Sequence, residues 1–312
     1  MLKPPSLKSV PYYPVTAFVA AMALGVTMLW WSKGNIDGLV MDSRVWNHWQ
    51  LWRALTSILP HADIFHLGFN LYWLWVFGTL VEREFGHWKM AAIVLLLGFG
   101  SNLAEFTVFS GGVGLSGVGY GLWGMLWVLE RRDARFAGTV DRNTSNLFVI
   151  WFFLCIALTY AGIMSVANVA HGVGAITGAL LGLAVSSGGA LKWQSAAGVA
   201  LVIGLGLAGS TVLWPRFNLS RTVEAEIEQA GLDALEKNEV RQGVRLLERA
   251  TRIRGAPARA WYNLGVGYHE LGDDVSALAA FEHAAAMPDS ESDFQRAARE
   301  MRAHVAQQKA TR

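Results

Sequence analysis

Charge is scarce in this sequence. Of its 312 residues, 16% are charged and 53% hydrophobic, with a mean hydropathy of +0.31. A soluble globular chain carries about 25% charged residues. The scarcity is also uneven: positions 1–215 hold about 21 charged residues and positions 216–312 about 29, roughly 10% against 30%. This excludes a single soluble globule and points to a membrane-embedded N-terminal region followed by a small soluble domain. Cysteine is nearly absent as well. Cys155 stands alone in an apolar run, which excludes a disulfide framework and a Cys-based zinc site and fits a packing role. No basic stripe exists outside loops near apolar segments, so no nucleic-acid partner is expected at a net charge of +2. His48 and His87 lack partners at metal-ligand spacing, and neither a metal nor a cofactor is expected.

What is abundant is apolar sequence in runs of spanning length, about 20 residues for a helix crossing a bilayer. The expected spans are Val15–Trp31, His66–Val81, Met90–Phe109, Ser116–Leu129, Asn146–Met164, Asn168–Ser186 and Ala196–Trp214. The first follows Lys3 and Lys8 but ends in Trp30, Trp31 and Lys33, an interfacial anchor and not a cleavage site, so it reads as a retained helix. Cations set the orientation. With the N-terminus cytoplasmic, Lys3, Lys8, Arg83, Lys89, Arg131, Arg132, Arg135, Arg142 and Lys192 lie inside, and Lys33, Arg44 and Arg53 outside. Seven spans then put the C-terminal domain outside the cytoplasm; six would put it inside. Trp46, Trp49 and Trp52 give the first outside loop the aromatic density of an interfacial segment. Residues 190–195 read as a short link.

The soluble tail carries a period. Ala260, Trp261, Leu264, Gly265, Tyr268, Gly272, Ala277, Phe281 and Ala284 follow the spacing of a tetratricopeptide helix pair. A shift of 34 residues puts Gly231 on Gly265, Leu247 on Phe281 and Ala250 on Ala284, a degenerate first copy, with Arg296–Gln308 as a closing helix. Fewer than three repeats make a marginal solenoid, so the tail is expected to lean on the membrane region or on a protein partner.

Polar residues inside apolar spans are functional candidates by default. His66 and Asn70 open the second span, Ser116 opens the fourth and His171 lies in the sixth. The fourth is short: 14 residues rise about 21 Å against a hydrocarbon core of about 30 Å. With Arg131 and Arg132 at its inner end, it begins below the outer surface, and the irregular Gly-rich segment before it lines protein or a wet cavity. Ser116 then sits at a helix N-terminus, whose unpaired N–H groups favour negative charge. His171, Gly174, Gly178 and Gly182 form one helical stripe; Ser116, Tyr120 and Gly124 form another, with Gly117 and Gly121 beside it. Close packing of two small-residue stripes brings a serine nucleophile to a histidine base, with Tyr120 one turn deeper. No Asp or Glu lies near either residue in sequence, so a dyad is expected instead of a triad. Asn70, one turn from His66, supplies a neutral donor for an oxyanion, and the Ser116 amide a second. Arg53 reads as structural, Glu82 as a solvated helix end that also has reach to neighbouring helices, and Glu105 as interfacial or cavity-lining. His61 reads as a solvated loop histidine.

These residues resemble the rhomboid intramembrane serine proteases. The resemblance rests on Trp52-Arg53, His61, the His66 and Asn70 pair, Glu82, Gly114-x-Ser116-Gly117 with Tyr120, and Ala170-His171 with Gly174 and Gly178, and it covers about positions 40–185. It implies Ser116 as nucleophile, His171 as general base, an oxyanion hole of His66, Asn70 and the Ser116 amide, and support from Tyr120, Gly114, Gly117 and Gly174. The expected fold is all-α: a six-helix core over residues 1–190, a seventh membrane helix and linker over 191–219, and a tetratricopeptide-like domain over 220–312. The expected activity is endoproteolysis of transmembrane protein substrates in a bacterial inner membrane, through an acyl-enzyme and without cofactor. Lipid and a protein docked on the tail are the other expected partners. An inactive relative that binds transmembrane clients is the alternative; a transporter is disfavoured by the few intramembrane charges and the lack of an inverted repeat.

Overall fold

The computed structural model describes residues 4–220, 222–253 and 255–310, so Lys3 lies outside the described residues. The described residues are helical with no strand, and the chain forms two compact units, Met1–Leu219 and Ser220–Arg312.

Seven long helices build the first unit: α1 (Pro14–Trp31), α2 (Ile64–Phe85), α3 (His87–Val108), α4 (Ser116–Arg132), α5 (Arg142–Tyr160), α6 (Asn168–Ser186) and α7 (Gly189–Ser210). All but α4 are long and apolar enough to cross a membrane. The starts are chemically marked. Pro14 occupies the first turn of α1, while the Asp63 and Asp141 carboxylates accept the His66 and Thr144 N–H groups at the heads of α2 and α5. Gly86, at φ +84°, makes the single-residue turn between α2 and α3. Within α2, Leu74–Gly78 form a π-helical turn that re-aims the helix between Asn70 and Glu82.

Most expected boundaries shift by a few residues, and two of the shifts change the reading of a segment. The fourth helix runs on through Glu130, Arg131 and Arg132 to 17 residues, about 25 Å long. Arginine can cap a helix end while keeping its head in water, and the Arg131 guanidinium lies 4.0 Å over the Trp127 ring. The seventh helix begins at Gly189, so residues 190–195 are helix and not a link. Lys192 is exposed and extends over Trp193, so it interrupts nothing.

Glu82 proves buried. Its carboxylate accepts the Val15 N–H at 2.9 Å, the Thr16 N–H at 2.8 Å and the Thr16 hydroxyl at 2.6 Å, which caps α1. Arg53, also buried, donates to the Val40 carbonyl at 2.6 Å and to Gln50 Oε1 at 2.6 Å and so holds the first loop together. Trp49 and Trp52 are exposed, in keeping with an interfacial loop, whereas Trp46 stacks on Trp214.

The second unit is a run of antiparallel helices: α8 (Val223–Glu236), α9 (Val240–Thr251), α10 (Ala258–Glu270), α11 (Asp274–Ala286) and α12 (Ser292–Ala310). The starts of α9 and α11 lie 34 residues apart, 240 and 274. Leu264 packs with Val244, Leu247 and Ala280, while Phe281 turns toward Met301 and Val305 of the closing helix. The repeat-like spacing therefore accompanies two helix pairs and a closing helix, with separate buried clusters between them.

Candidate active site

Among the described residues, the closest glycine approaches lie between α4 and α6. A Cβ at Gly174 would overlap the Gly117 carbonyl, one at Gly178 the Gly121 carbonyl, and one at Gly124 the Ala175 carbonyl. The glycines touching α6 are thus Gly117 and Gly121, one position round from the Ser116–Tyr120 edge, and Gly124, which continues that edge. This leaves Ser116 and Tyr120 beside the seam, where both line a cavity. Ser116 Oγ lies 2.8 Å from His171 Nε2, and the Tyr120 ring stacks on the imidazole at 4.6 Å between centroids. The Tyr120 hydroxyl donates to the Phe148 carbonyl at 3.1 Å, which fixes the ring. His171 Nδ1 is buried and has no hydrogen-bond partner among the described residues, so no carboxylate completes a triad.

The remaining predicted residues converge on the same space. A cavity of about 1570 Å³ is lined by Ser116, His171, His66, Asn70, Tyr120 and Glu105, among mostly apolar neighbours. Asn70 donates one amide hydrogen to the His66 carbonyl at 3.0 Å, which leaves the second for a ligand. As the first residue of α4, Ser116 has an N–H with no intrahelical acceptor. Gly114 meets a double demand. Its φ is +107°, and a Cβ there would come within 2.7 Å of the His66 ring. Its own N–H is bound by the Ser57 carbonyl at 3.0 Å. A Cβ on Gly117 would also overlap the Ser101 hydroxyl, so this glycine serves both α3 and α6.

Two residues matter more here than their sequence context indicates. His61 is fully buried. Its Nε2 accepts the Leu115 N–H at 3.2 Å and its Nδ1 faces the Leu59 carbonyl at 2.9 Å, a pairing that requires the neutral Nδ1–H tautomer. Burial pushes this imidazole down to about 4, so it stays neutral near pH 7. It pins the residue next to Ser116. Glu105 is buried at the end of α3 and accepts the Ala170 N–H at 2.9 Å, capping the helix that carries His171 one residue later. Both act on backbone groups far away in sequence, which no spacing pattern advertises.

The family model described as "Rhomboid domain" matches residues 48–188. Curated relatives include "Rhomboid protease GlpG" of Photorhabdus laumondii, 32% identical over 170 residues, covering 52% of this chain and 58% of that protein. The protein of the same name from Serratia proteamaculans is 31% identical over 177 residues, covering 54% and 61%. That of Pectobacterium atrosepticum is 34% identical over 138 residues, covering 42% and 48%. The chain thus spans less than two thirds of the length of these relatives, and the family model falls within the membrane unit. Residues 48–188, which hold the serine, the histidines and the asparagine just described, are thus a rhomboid domain.

Proposed function

We propose that the chain is an intramembrane serine endopeptidase acting on transmembrane protein substrates through a Ser116–His171 dyad. The contact of 2.8 Å between Ser116 Oγ and His171 Nε2, opening on a cavity with unused N–H donors, carries this reading. His171 Nε2 takes the serine proton as Oγ adds to the scissile carbonyl. The resulting oxyanion meets the Ser116 N–H, the second Asn70 amide hydrogen and His66; each well-aimed donor contributes about 3 kcal/mol to the barrier. The imidazolium then gives its proton to the leaving amine, and the acyl group stays on Ser116. Water, deprotonated by His171, releases it. With no acid on Nδ1, stacking on Tyr120 is what orients the ring.

Purified protein in detergent, given a generic transmembrane substrate, is expected to cleave it. Ser116→Ala and His171→Ala are expected to abolish cleavage, and cleavage persisting in either variant sinks the dyad. The same preparation that binds substrate without cutting it would favour the inactive reading.

The protein is a multi-pass membrane protein, and we propose that its tail begins outside the cytoplasm. Leu219, the last residue of the membrane unit, donates its N–H to Val108 at the end of α3 that adjoins the Ser116 loop. With the N-terminus cytoplasmic, as the loop cations favour, that end of α3 is extracytoplasmic. Protease digestion of the tail in spheroplasts is the check; digestion only from the cytoplasmic face would refute it. The 34-residue offset between helix pairs supports a tetratricopeptide-like tail that docks a protein, tested by deleting residues 220–312 and comparing the clients cleaved.

A further inference from the structure

The segment after α7 is built into the membrane unit more firmly than a linker requires. Trp214 is completely buried, sandwiched between Trp46 and Phe106 with ring centroids 5.4 Å away on each side. Its indole N–H donates to the Phe106 carbonyl at 2.9 Å. Asn218 Nδ2 donates to the carbonyls of Phe106 at 2.9 Å and Phe109 at 2.7 Å, and the Leu219 N–H reaches the Val108 carbonyl at 2.6 Å. The last carbonyls of a helix lack intrahelical donors. Here residues 214–219 supply them for α3, as a strap laid over its end.

The strap leaves two large apolar side chains exposed, those of Phe217 and Leu219, and of the two only Leu219 lines the cavity. Leu219 is 71% exposed although its backbone is held by this hydrogen bond, and the residue lines the same cavity as Ser116, as do Phe109 and Gly111. A fixed, exposed leucine on the rim of a largely apolar cavity presents surface to whatever enters. We infer that Leu219, held in place by the Trp214–Leu219 strap, is a specificity-determining residue that meets apolar side chains of the substrate segment entering over the end of α3. The inference rests on the protease reading. It also makes the cavity's shape depend on the seventh helix, since truncation after Ser210 would remove this part of the wall.

The test uses the full chain and a set of transmembrane substrates in which each position flanking the cleaved bond is in turn Ala or Phe. Labelling of Ser116 by a small fluorophosphonate reports that each variant is folded. Leu219→Ala is expected to raise kcat/KM for Phe relative to Ala by at least fivefold at one or two flanking positions, and Leu219→Trp to lower it there by a similar factor. Asn218→Ala, which loosens the strap, is expected to move the same positions in the direction of Leu219→Ala and by less. Cleavage by the wild type with every ratio within twofold across the labelled variants would overturn this inference and leave the protease reading standing. A wild type that cleaves none of the substrates would overturn both.

Discussion

Both units bring helices together over glycine, but against different atoms. In the membrane unit a Cβ at Gly178 or Gly174 would strike a backbone carbonyl of the facing helix. In the tail, a Cβ at Gly265 would meet the Phe281 ring, and one at Gly231 would meet the Leu247 side chain. The difference follows from the solvent. Lipid offers no apolar burial to drive helices together, so association depends on close backbone approach. In water, side chains filling grooves do that work. The dyad stands on the first kind of contact, which cannot adjust, and so its geometry is set by backbone.

The largest expected effect is therefore at the membrane seam. Gly178→Ala is expected to destabilise the first unit by about 3 kcal/mol, the upper end of overpacking costs, and to cut Ser116 labelling by fluorophosphonate in parallel. Gly265→Ala should cost the tail about 1 kcal/mol, because a ring can turn. Equal losses in denaturant titrations of the two variants would break the comparison.

Charge separates the units next. The tail holds a buried carboxylate, Glu228, bidentate on Arg259 at 2.9 and 2.8 Å, joining α8 to α10. Arg259→Ala strands that charge and is expected to destabilise the tail by about 2 kcal/mol, discounted because the arginine is half exposed. Ser116 labelling should be unaffected. In the membrane unit the buried carboxyl groups Glu82 and Glu105 instead accept backbone N–H groups at helix starts. Glu105→Ala is expected to lower kcat about tenfold by freeing the start of α6, about 1 kcal/mol being the usual worth of a cap. Glu105→Gln, which keeps an acceptor, should retain most activity. An alanine variant with unchanged kcat would show that the cap does not position His171.

How much of this was legible in the sequence depends on the kind of contact. Ser116, Tyr120 and His171 were legible because helical periodicity puts them on matching stripes, and the seven apolar runs gave the bundle. The reach of Glu82 to a neighbouring helix and the cavity position of Glu105 are open alternatives in the sequence, but their burial and that of His61 are not legible, because their partners include backbone N–H groups of distant segments, which leave no mark in residue type. The head of α7 looks like a link in the sequence because one lysine resembles a loop residue, whereas its long stem lies over Trp193. The sequence marks Trp214 only as the end of a span, since its stacking on Trp46 joins residues 168 positions apart.

The smallest effect is a difference in pH response. The His61 imidazole is depressed on folding, so its contribution is full above about 6.5 and is lost as pH falls toward 4. Glu224 in the tail is pushed above the usual carboxylate range by burial and by Glu228 beside it. Its contribution is full below about 4.5 and is lost as pH rises through its folded value. Hydrogen exchange at pH 7 and pH 5, corrected for intrinsic rates, should show protection around Leu115 falling with acid while that around Glu224 rises. Parallel changes would contradict these assignments.

The central claim is that Ser116 is activated by His171 alone. Its most direct measurement is the rate at which a fluorophosphonate forms an adduct on Ser116, located by mass spectrometry, in the wild type and in His171→Ala. The account predicts an adduct on Ser116 in the wild type, and loss of at least about hundredfold in the variant, the lower range of general-base contributions. Equal rates in the two proteins, or an adduct on another residue, would contradict it.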